Sequence, residues 1–438
     1  MHIGRCELKA LSKIIKVDYL SRVEGEGGLV IEIKDDRTVR LRVNIFEAPR
    51  FFESFLRGRP YFDVMDFTAR ICGICPVAYQ MSSVHAIEKI FNIEVEKPIK
   101  ELRRLLYCGE WIESHALHIY LLNGPDFYNI ESAWSSKEYL TIAKKGLYFK
   151  KLGNEILTIL GGRSVHPISI RVGGFYKMPD KKSLSALLPE LKKAYEESLK
   201  EIKWVAGLQF NDNSWDTEYV SLIHDNEYPM NYGNVASNKG LNMPMEKFIE
   251  NVQEYQVNYS TALHSGLKRD SYVSPYVVGP LSRLNLNYEK LPAEIQNMIK
   301  EAGISLPITN THMSIIARSV ELAYAFYEAI RIINEYNEYD RSFIDSELKE
   351  GEAVWITEAP RGILIHRYEL DNSGYVKNCT IIPPTSQNFA HIEADIYRFV
   401  QNNIDKPEDF IKKESEKIIR SYDPCISCSV HVVKTRNC

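Results

Sequence analysis

The sequence contains no apolar run of 18 residues, so no segment reads as a membrane span. Residues 1–13 carry basic side chains but no long apolar core, so they do not read as a secretory signal. A cytoplasmic location is the default expectation. Charge of one sign is missing too: 54 basic residues against 58 acidic leave a net charge of −4. That balance offers no global attraction to nucleic acid or to an anionic membrane. There is no internal repeat, no low-complexity tract and no Pro/Ser-rich linker between domains. Hydrophobic residues at 45% and charged residues at 26% exclude disorder. The 438 residues can bury a large core without disulfide staples. Length alone allows about three domains or one large fold.

What is present alternates at first. Leu29, Ile31 and Ile33, then Val39, Leu41 and Val43, flank Asp35-Asp36, which predicts a β-hairpin over 27–45. From Cys72 onward the spacing turns helical, with Met81, Val84, Ile87 and Ile90 on one face. Pro98 starts a long helix that Asn123-Gly124-Pro125 stops. Further helices are expected over 138–160, 183–206, 313–339, 387–403 and 407–420. Short strands are expected at 352–357, 362–368 and 376–382. Residues 210–240 read as loops with short strands. The fold class is mainly α with small β elements at both ends (α+β).

Cysteine is scarce, and half of it is paired. Cys72-x-x-Cys75 and Cys425-x-x-Cys428 lie at opposite ends, while Cys6, Cys108, Cys379 and Cys438 stand alone. Two residues between cysteines let both thiolates face one centre, and four thiolates suit zinc, iron or nickel. A structural zinc site is one reading, but zinc modules bring their pairs from one local segment. Two unrelated pairs are another reading. The third is a catalytic metal between the chain ends, which requires the chain to fold back on itself.

The flanking residues decide between these. Arg70-Ile71-Cys72-Gly73-Ile74-Cys75 and Asp423-Pro424-Cys425-Ile426-Ser427-Cys428-Ser429-Val430-His431 resemble the two signatures of the large, catalytic subunit of nickel-iron hydrogenases. Arg22-Val23-Glu24-Gly25, Arg50-Phe51-Phe52-Glu53 and Glu358-Ala359-Pro360-Arg361-Gly362 resemble three further elements of that family, in family order. The first signature is most similar to the archaeal-type sulfhydrogenases, the pyridine-nucleotide-linked branch. Tyr79 departs from much of the family, which has histidine there. A tyrosine hydroxyl can donate a hydrogen bond but is no base near neutral pH.

The resemblance implies a multi-helix core with the metal site between the N- and C-terminal segments. It implies that all four cysteines bind nickel, Cys72 and Cys425 terminally, and that Cys75 and Cys428 also bridge to an iron carrying carbonyl and cyanide. Glu24 would carry protons, its carboxyl tuned by burial. Arg361 would stand over the open metal position, with Asp126 as its buried carboxylate partner. Pro384 and Thr385 would shape the iron-ligand pocket, and Glu53 and His431 would help hold magnesium. Taken alone, Glu24 reads as an exposed turn residue, Glu53 as a helix salt bridge with Arg57, and His115, His118 and His166 as packed residues.

The resemblance further implies reversible oxidation of hydrogen to two protons and two electrons. The remaining cysteines lack iron–sulfur spacing, so the clusters and FAD belong to partners: an iron–sulfur small subunit, then flavin and iron–sulfur diaphorase subunits. No glycine-rich dinucleotide fingerprint occurs here, which leaves NAD(P)(H) or polysulfide chemistry to those partners. Residues 1–431 would form the large-subunit fold. Residues 432–438 would be a C-terminal extension removed by a maturation protease once nickel-insertion factors have loaded the site. A metal-free respiratory scaffold relative would have lost the cysteines, and a zinc-binding interaction protein would hold zinc alone.

Overall fold

The computed structural model describes residues 13–34, 38–345 and 347–430. Strands Gly27–Lys34 and Thr38–Ile45 form the expected hairpin, pairing from Gly27↔Ile45 to Lys34↔Thr38. Leu29, Ile31 and Ile33 face inward, as their alternation requires. A third strand, Lys13–Val17, adds antiparallel to the outer edge and was not anticipated. The hairpin lies on helix Pro384–Asn402, where Glu393 Oε1 accepts from the Val43 amide at 2.9 Å.

The centre is helical. Lys97–Leu117 runs against Tyr139–Gly161 and against Ser314–Glu335, which also packs on Leu188–Ala206. The first two helices approach closely because glycine faces glycine. A Cβ on Gly153 would stand 2.5 Å from the Gly109 carbonyl oxygen. The long helix does not reach Leu122 as an α-helix. It becomes a π-turn over His118–Asn123 and a 3-10 turn over Gly124–Tyr128. The helix expected over 183–206 splits into Lys181–Ser185 and Leu188–Ala206, with Pro189 in the first turn of the second.

Strands Gly351–Ala359, Gly362–Leu370 and Val376–Ile382 form an antiparallel sheet against helix Pro76–Phe91. Small sheets also occur mid-chain, over Val220–Met243 and Val252–Ser274, so β structure is not confined to the two ends. Among the described residues no helix is long and apolar enough to cross a membrane. One apolar cluster runs from Ile15 to Val430 and includes all four paired cysteines. The chain therefore folds back: the Arg50 amide donates to the Val430 carbonyl at 2.8 Å, and Glu24 bridges Cys425 in parallel. The α+β class and the placing of the thiol site between the end segments both hold.

Candidate metal centre

The first cysteine pair sits in the turn between helices Val64–Ala69 and Pro76–Phe91. Cys75 caps the second helix, and Pro76 suits its first turn because its fixed φ is already helical. The turn points the Ile74 and Cys75 amides at Cys72 Sγ, both at 3.3 Å. Beneath it, the buried Glu110 accepts from the Val77 amide at 2.6 Å and the Ala78 amide at 3.2 Å. These are amides that the start of a helix leaves without partners. Burial pushes the Glu110 carboxyl well up despite those bonds, and the Cys72 sulfur adds to the shift.

The second pair begins a short helix, Ile426–Ser429, with Cys425 as its cap. Three distant segments hold it. The Cys425 amide donates to Thr385 Oγ1 at 3.0 Å. The Ile426 amide donates to the Glu24 carbonyl at 2.9 Å, and the Ser427 amide to Glu24 Oε2 at 3.1 Å. Gly25 permits this approach: it has φ 89°, and a Cβ there would lie 2.6 Å from Ile426 Cβ. Arg50 staples the two pairs together, since Nη2 donates to the Ile71 carbonyl at 2.8 Å and to the Ser427 carbonyl.

The result is four sulfurs within 4.8 Å of one another, all buried. Cys72 faces Cys425 at 3.5 Å and Cys75 faces Cys428 at 3.9 Å, each pairing across the two signatures. A disulfide needs about 2.05 Å, so these are thiols. Burial and the neighbouring thiols push Cys425 well up. Hydrogen bonds with Cys425, Cys428 and Cys75 hold Cys72 well down. As thiolates, four buried sulfurs at such distances would need a cation's charge, and the all-sulfur donor set fits a soft or borderline metal such as nickel or iron.

Arg361 stands beside them in the two-residue turn between strands Gly351–Ala359 and Gly362–Leu370. It is 2% exposed. Its Nε donates to the Asp423 carbonyl at 2.8 Å and Nη2 to Asp423 Oδ1 at 3.2 Å. Its Nη1 is buried with no hydrogen-bond partner among the described residues. Burial works against the guanidinium charge, but Asp423, Cys425, Cys75 and Cys72 outweigh it and raise its pKa. A cationic donor is thus held beside the thiolates.

The expected pairing of Asp126 with Arg361 is corrected. Asp126 forms ion pairs with Arg22 at 2.5 Å and Arg420 at 2.7 Å. The 3-10 turn after the long helix carries it to the Ser21–Arg22 segment, while Asp423 reaches Arg361 from a left-handed φ of 54°. Asp423 lies directly before the second signature, and that adjacency was the available signal. Glu358 holds the same turn from below. Its Oε2 accepts from Arg283 at 2.9 Å, and Arg283 also binds Glu321 and the carbonyls of Ala359 and Pro360.

Other expected residues fall as follows. Glu24 is half-buried against the second signature. Thr385 bonds Cys425, and Pro384 opens the helix Pro384–Asn402 that carries Thr385. Glu53 Oε1 accepts from the Ile381 amide at 2.7 Å. His431, residues 432–438 and Cys6 lie outside the described residues. His115 packs 3.0 Å from Glu321, and His118 Nε2 lies 2.7 Å from the Arg420 carbonyl. Cys108 and Cys379 are buried and unpaired with one another, and burial raises Cys379 to about 12. Arg50, Glu110 and Asp423 were not singled out from sequence.

The profile of the nickel-dependent hydrogenase family matches residues 50–146 and 253–431. The chain is 32% identical to sulfhydrogenase 1 subunit alpha of Pyrococcus furiosus, over 98% of this chain and 100% of that protein. It is 36% identical to sulfhydrogenase 2 subunit alpha of the same organism, over 96% and 100%. Among solved structures, a chain of an NAD+-reducing [NiFe]-hydrogenase superposes with a TM-score of 0.84 at 23% identity, covering 97% of this chain and 100% of that one. A chain of the Ni-Fe-Se hydrogenase from D. vulgaris Hildenborough gives 0.79 at 21%, covering 96% and 100%. At these identities the two structures speak for the fold.

Proposed function

Since the chain belongs to the nickel-dependent hydrogenase family, we propose that it works as the hydrogen-splitting member of a larger electron-transfer assembly. It is an oxidoreductase, the catalytic large subunit of a [NiFe] hydrogenase. The observation that carries the reading is the convergence of four buried sulfurs from both chain ends. Cys72, Cys75, Cys425 and Cys428 would hold a nickel–iron group, Cys72 and Cys425 as ligands to nickel and Cys75 and Cys428 as ligands shared with an iron that would carry carbonyl and cyanide. When bound, the nickel–iron group supplies the reversible splitting of hydrogen into two protons and two electrons.

The chain's own residues do the rest. Glu24 takes the proton at Oε1 or Oε2 and passes it outward; the Ser427 amide fixes the carboxylate one residue from Cys428. Arg361, anchored by Asp423, keeps a guanidinium N–H aimed at developing negative charge without reorganising. Thr385 fixes the Cys425 backbone, and Pro384, which opens the same helix, would help shape the iron-ligand pocket. Glu53 and His431 would help hold a magnesium ion. Asp126 acts at one remove, tying the Glu24 segment to helix Glu408–Ser421 through Arg22 and Arg420.

Electrons leave through an iron–sulfur small subunit. Tyr19, Phe46, Phe51, Phe55 and Phe62 are exposed on the segments around Glu24 and before Cys72, and such large apolar groups mark a protein interface. Further flavin and iron–sulfur diaphorase subunits couple the assembly to NAD(P)(H) or polysulfide in the cytoplasm. Residues 1–431 form the working unit. A protease removes residues 432–438 after nickel-insertion factors have loaded the site. Metal analysis of the purified chain with its partners tests the core of this: nickel is expected, with iron in excess of it because the partners' clusters add to the iron of the centre, and zinc in place of nickel would overturn it.

A further inference from the structure

Arg283 is fully buried under the turn that presents Arg361, and each of its five N–H groups meets an acceptor. Nε and Nη2 donate to the two oxygens of Glu321, both at 2.7 Å. Nη1 donates to Glu358 Oε2 at 2.9 Å and to the Ala359 carbonyl at 2.8 Å. Nη2 also donates to the Pro360 carbonyl at 2.9 Å. These two carbonyls immediately precede Arg361. The guanidinium carbon stands 4.4 Å over the Trp111 ring, which flanks the plane. Both carboxylates are held from elsewhere as well: the Tyr228 hydroxyl donates to Glu321 at 2.8 Å, and the Leu222 amide to Glu358 at 2.7 Å.

The segment that carries Arg283 also packs on the turn directly. Helix Pro280–Asn287 is capped by Gly279 at φ 114°. A Cβ on Gly279 would stand 2.8 Å from the Arg361 carbonyl oxygen, so backbone lies on backbone there. Beyond the turn, Gln387 Nε2 donates to the Ile363 carbonyl at 2.8 Å. The chain is thus held on both sides of Arg361, while Asp423 holds the guanidinium end. Such a buried ion cluster is a poor source of stability, because taking its charges out of water can cost more than their attraction returns. What arginine supplies is direction: a rigid plane of donors that the single nitrogen of lysine cannot reproduce. We propose that Arg283 is a positioning residue for Arg361. By bonding the Ala359 and Pro360 carbonyls it fixes the backbone from which Arg361 reaches toward the four sulfurs. It acts through Arg361 and not on the reacting atoms.

The inference rests on the reading of Arg361 as the donor beside the centre. Arg361→Lys alone tests that reading; its coupling to Arg283 tests this one. Arg283→Lys keeps a charge between Glu321 and Glu358 but loses the fork. In the whole assembly it should keep its nickel and lower kcat for hydrogen-dependent dye reduction about 10–100-fold, as misplacement of a reacting-site group does. KM for hydrogen should hardly move, since hydrogen offers a guanidinium no polar group to bind. In an Arg361→Lys background the same substitution should lower kcat no further. Gly279→Ala, which presses on the turn through the Arg361 carbonyl, should depend on Arg361 in the same way. Amide hydrogen exchange over residues 359–363 of the assembly should quicken in Arg283→Lys whatever the activity. The proposal is overturned if Arg283→Lys keeps full kcat, if it costs the same factor with and without Arg361, or if exchange over 359–363 is unchanged. Loss of nickel from Arg283→Lys would also overturn it, since that marks a purely structural role.

Discussion

Replacing Arg361 by leucine separates its electrostatic role from its structural one. The guanidinium is 2% exposed and anchored on Asp423 through both the carbonyl and the carboxylate. Removing one partner of a buried ion pair costs about 3–5 kcal/mol, because the other charge is left uncompensated. Arg318 also acts on Asp423, so part of the loss is offset and ~2–4 kcal/mol is expected. Loss of a preorganised donor at a reacting centre adds a fall of about 10²–10³ in rate. Denaturant unfolding reads the first effect, and hydrogen-dependent dye reduction by the whole assembly reads the second. Arg361→Leu with Asp423→Asn removes both charges, so stability should return while activity stays low. Arg361→Lys keeps the charge but loses the fork, so nickel content should persist while activity falls. If Arg361→Leu were destabilised yet fully active, the guanidinium would be a scaffold only. If the double variant failed to recover stability, the Asp423 argument would be wrong.

Cys75→Ser or Cys428→Ser should abolish activity and nickel retention, while Cys379→Ser, a buried thiol away from the four, should leave both nearly intact; elemental analysis and turnover decide, and equal loss in all three would sink the ligand assignment. Arg50→Ala removes bonds to the Ile71 and Ser427 carbonyls, each worth about 1.5–3 kcal/mol from a charged donor, so nickel should dissociate faster under chelator; an unchanged off-rate would contradict the staple. Asp395 is buried and raised from 3.8 to about 6, burial being the main cause. The folded state therefore binds its proton more tightly than the unfolded chain, so this group's contribution to stability falls as pH rises from about 4 to about 6. Asp395→Asn should flatten that part of the pH–stability curve, and an unaltered slope would refute the assignment. Intact mass of the active enzyme should end at His431; full activity in a chain still carrying Cys438 would show that the tail is not removed.

Much of the frame was legible because it depends on local periodicity. The 27–45 alternation, Pro98 at a helix start and the three strands before Pro383 all carry their partners nearby in sequence. Convergence of the cysteine pairs was legible from their chemistry and flanking residues. What stayed hidden was set by tertiary partners. Asp126 pairs with Arg22 and Arg420 because a π-turn and a 3-10 turn redirect the chain after Leu117, and nothing periodic announces them. Glu110, a carboxylate within a long amphipathic helix, gives no sign that it caps another helix. Arg50 was visible as part of a motif, but its bonds to two distant carbonyls are decided by the fold. The strand Lys13–Val17 and the short helices Pro280–Asn287 and Ala293–Glu301 are too short to carry a decisive period.

The central claim is that sulfurs from both chain ends hold one nickel beside one iron. X-ray absorption at the nickel edge of the purified holoenzyme tests it most directly. A sulfur-dominated nickel shell with an iron scatterer close behind is expected, with loss of sulfur from that shell in Cys75→Ser or Cys428→Ser chains that retain any nickel. A nickel shell of nitrogen and oxygen, or one with no iron nearby, would contradict it.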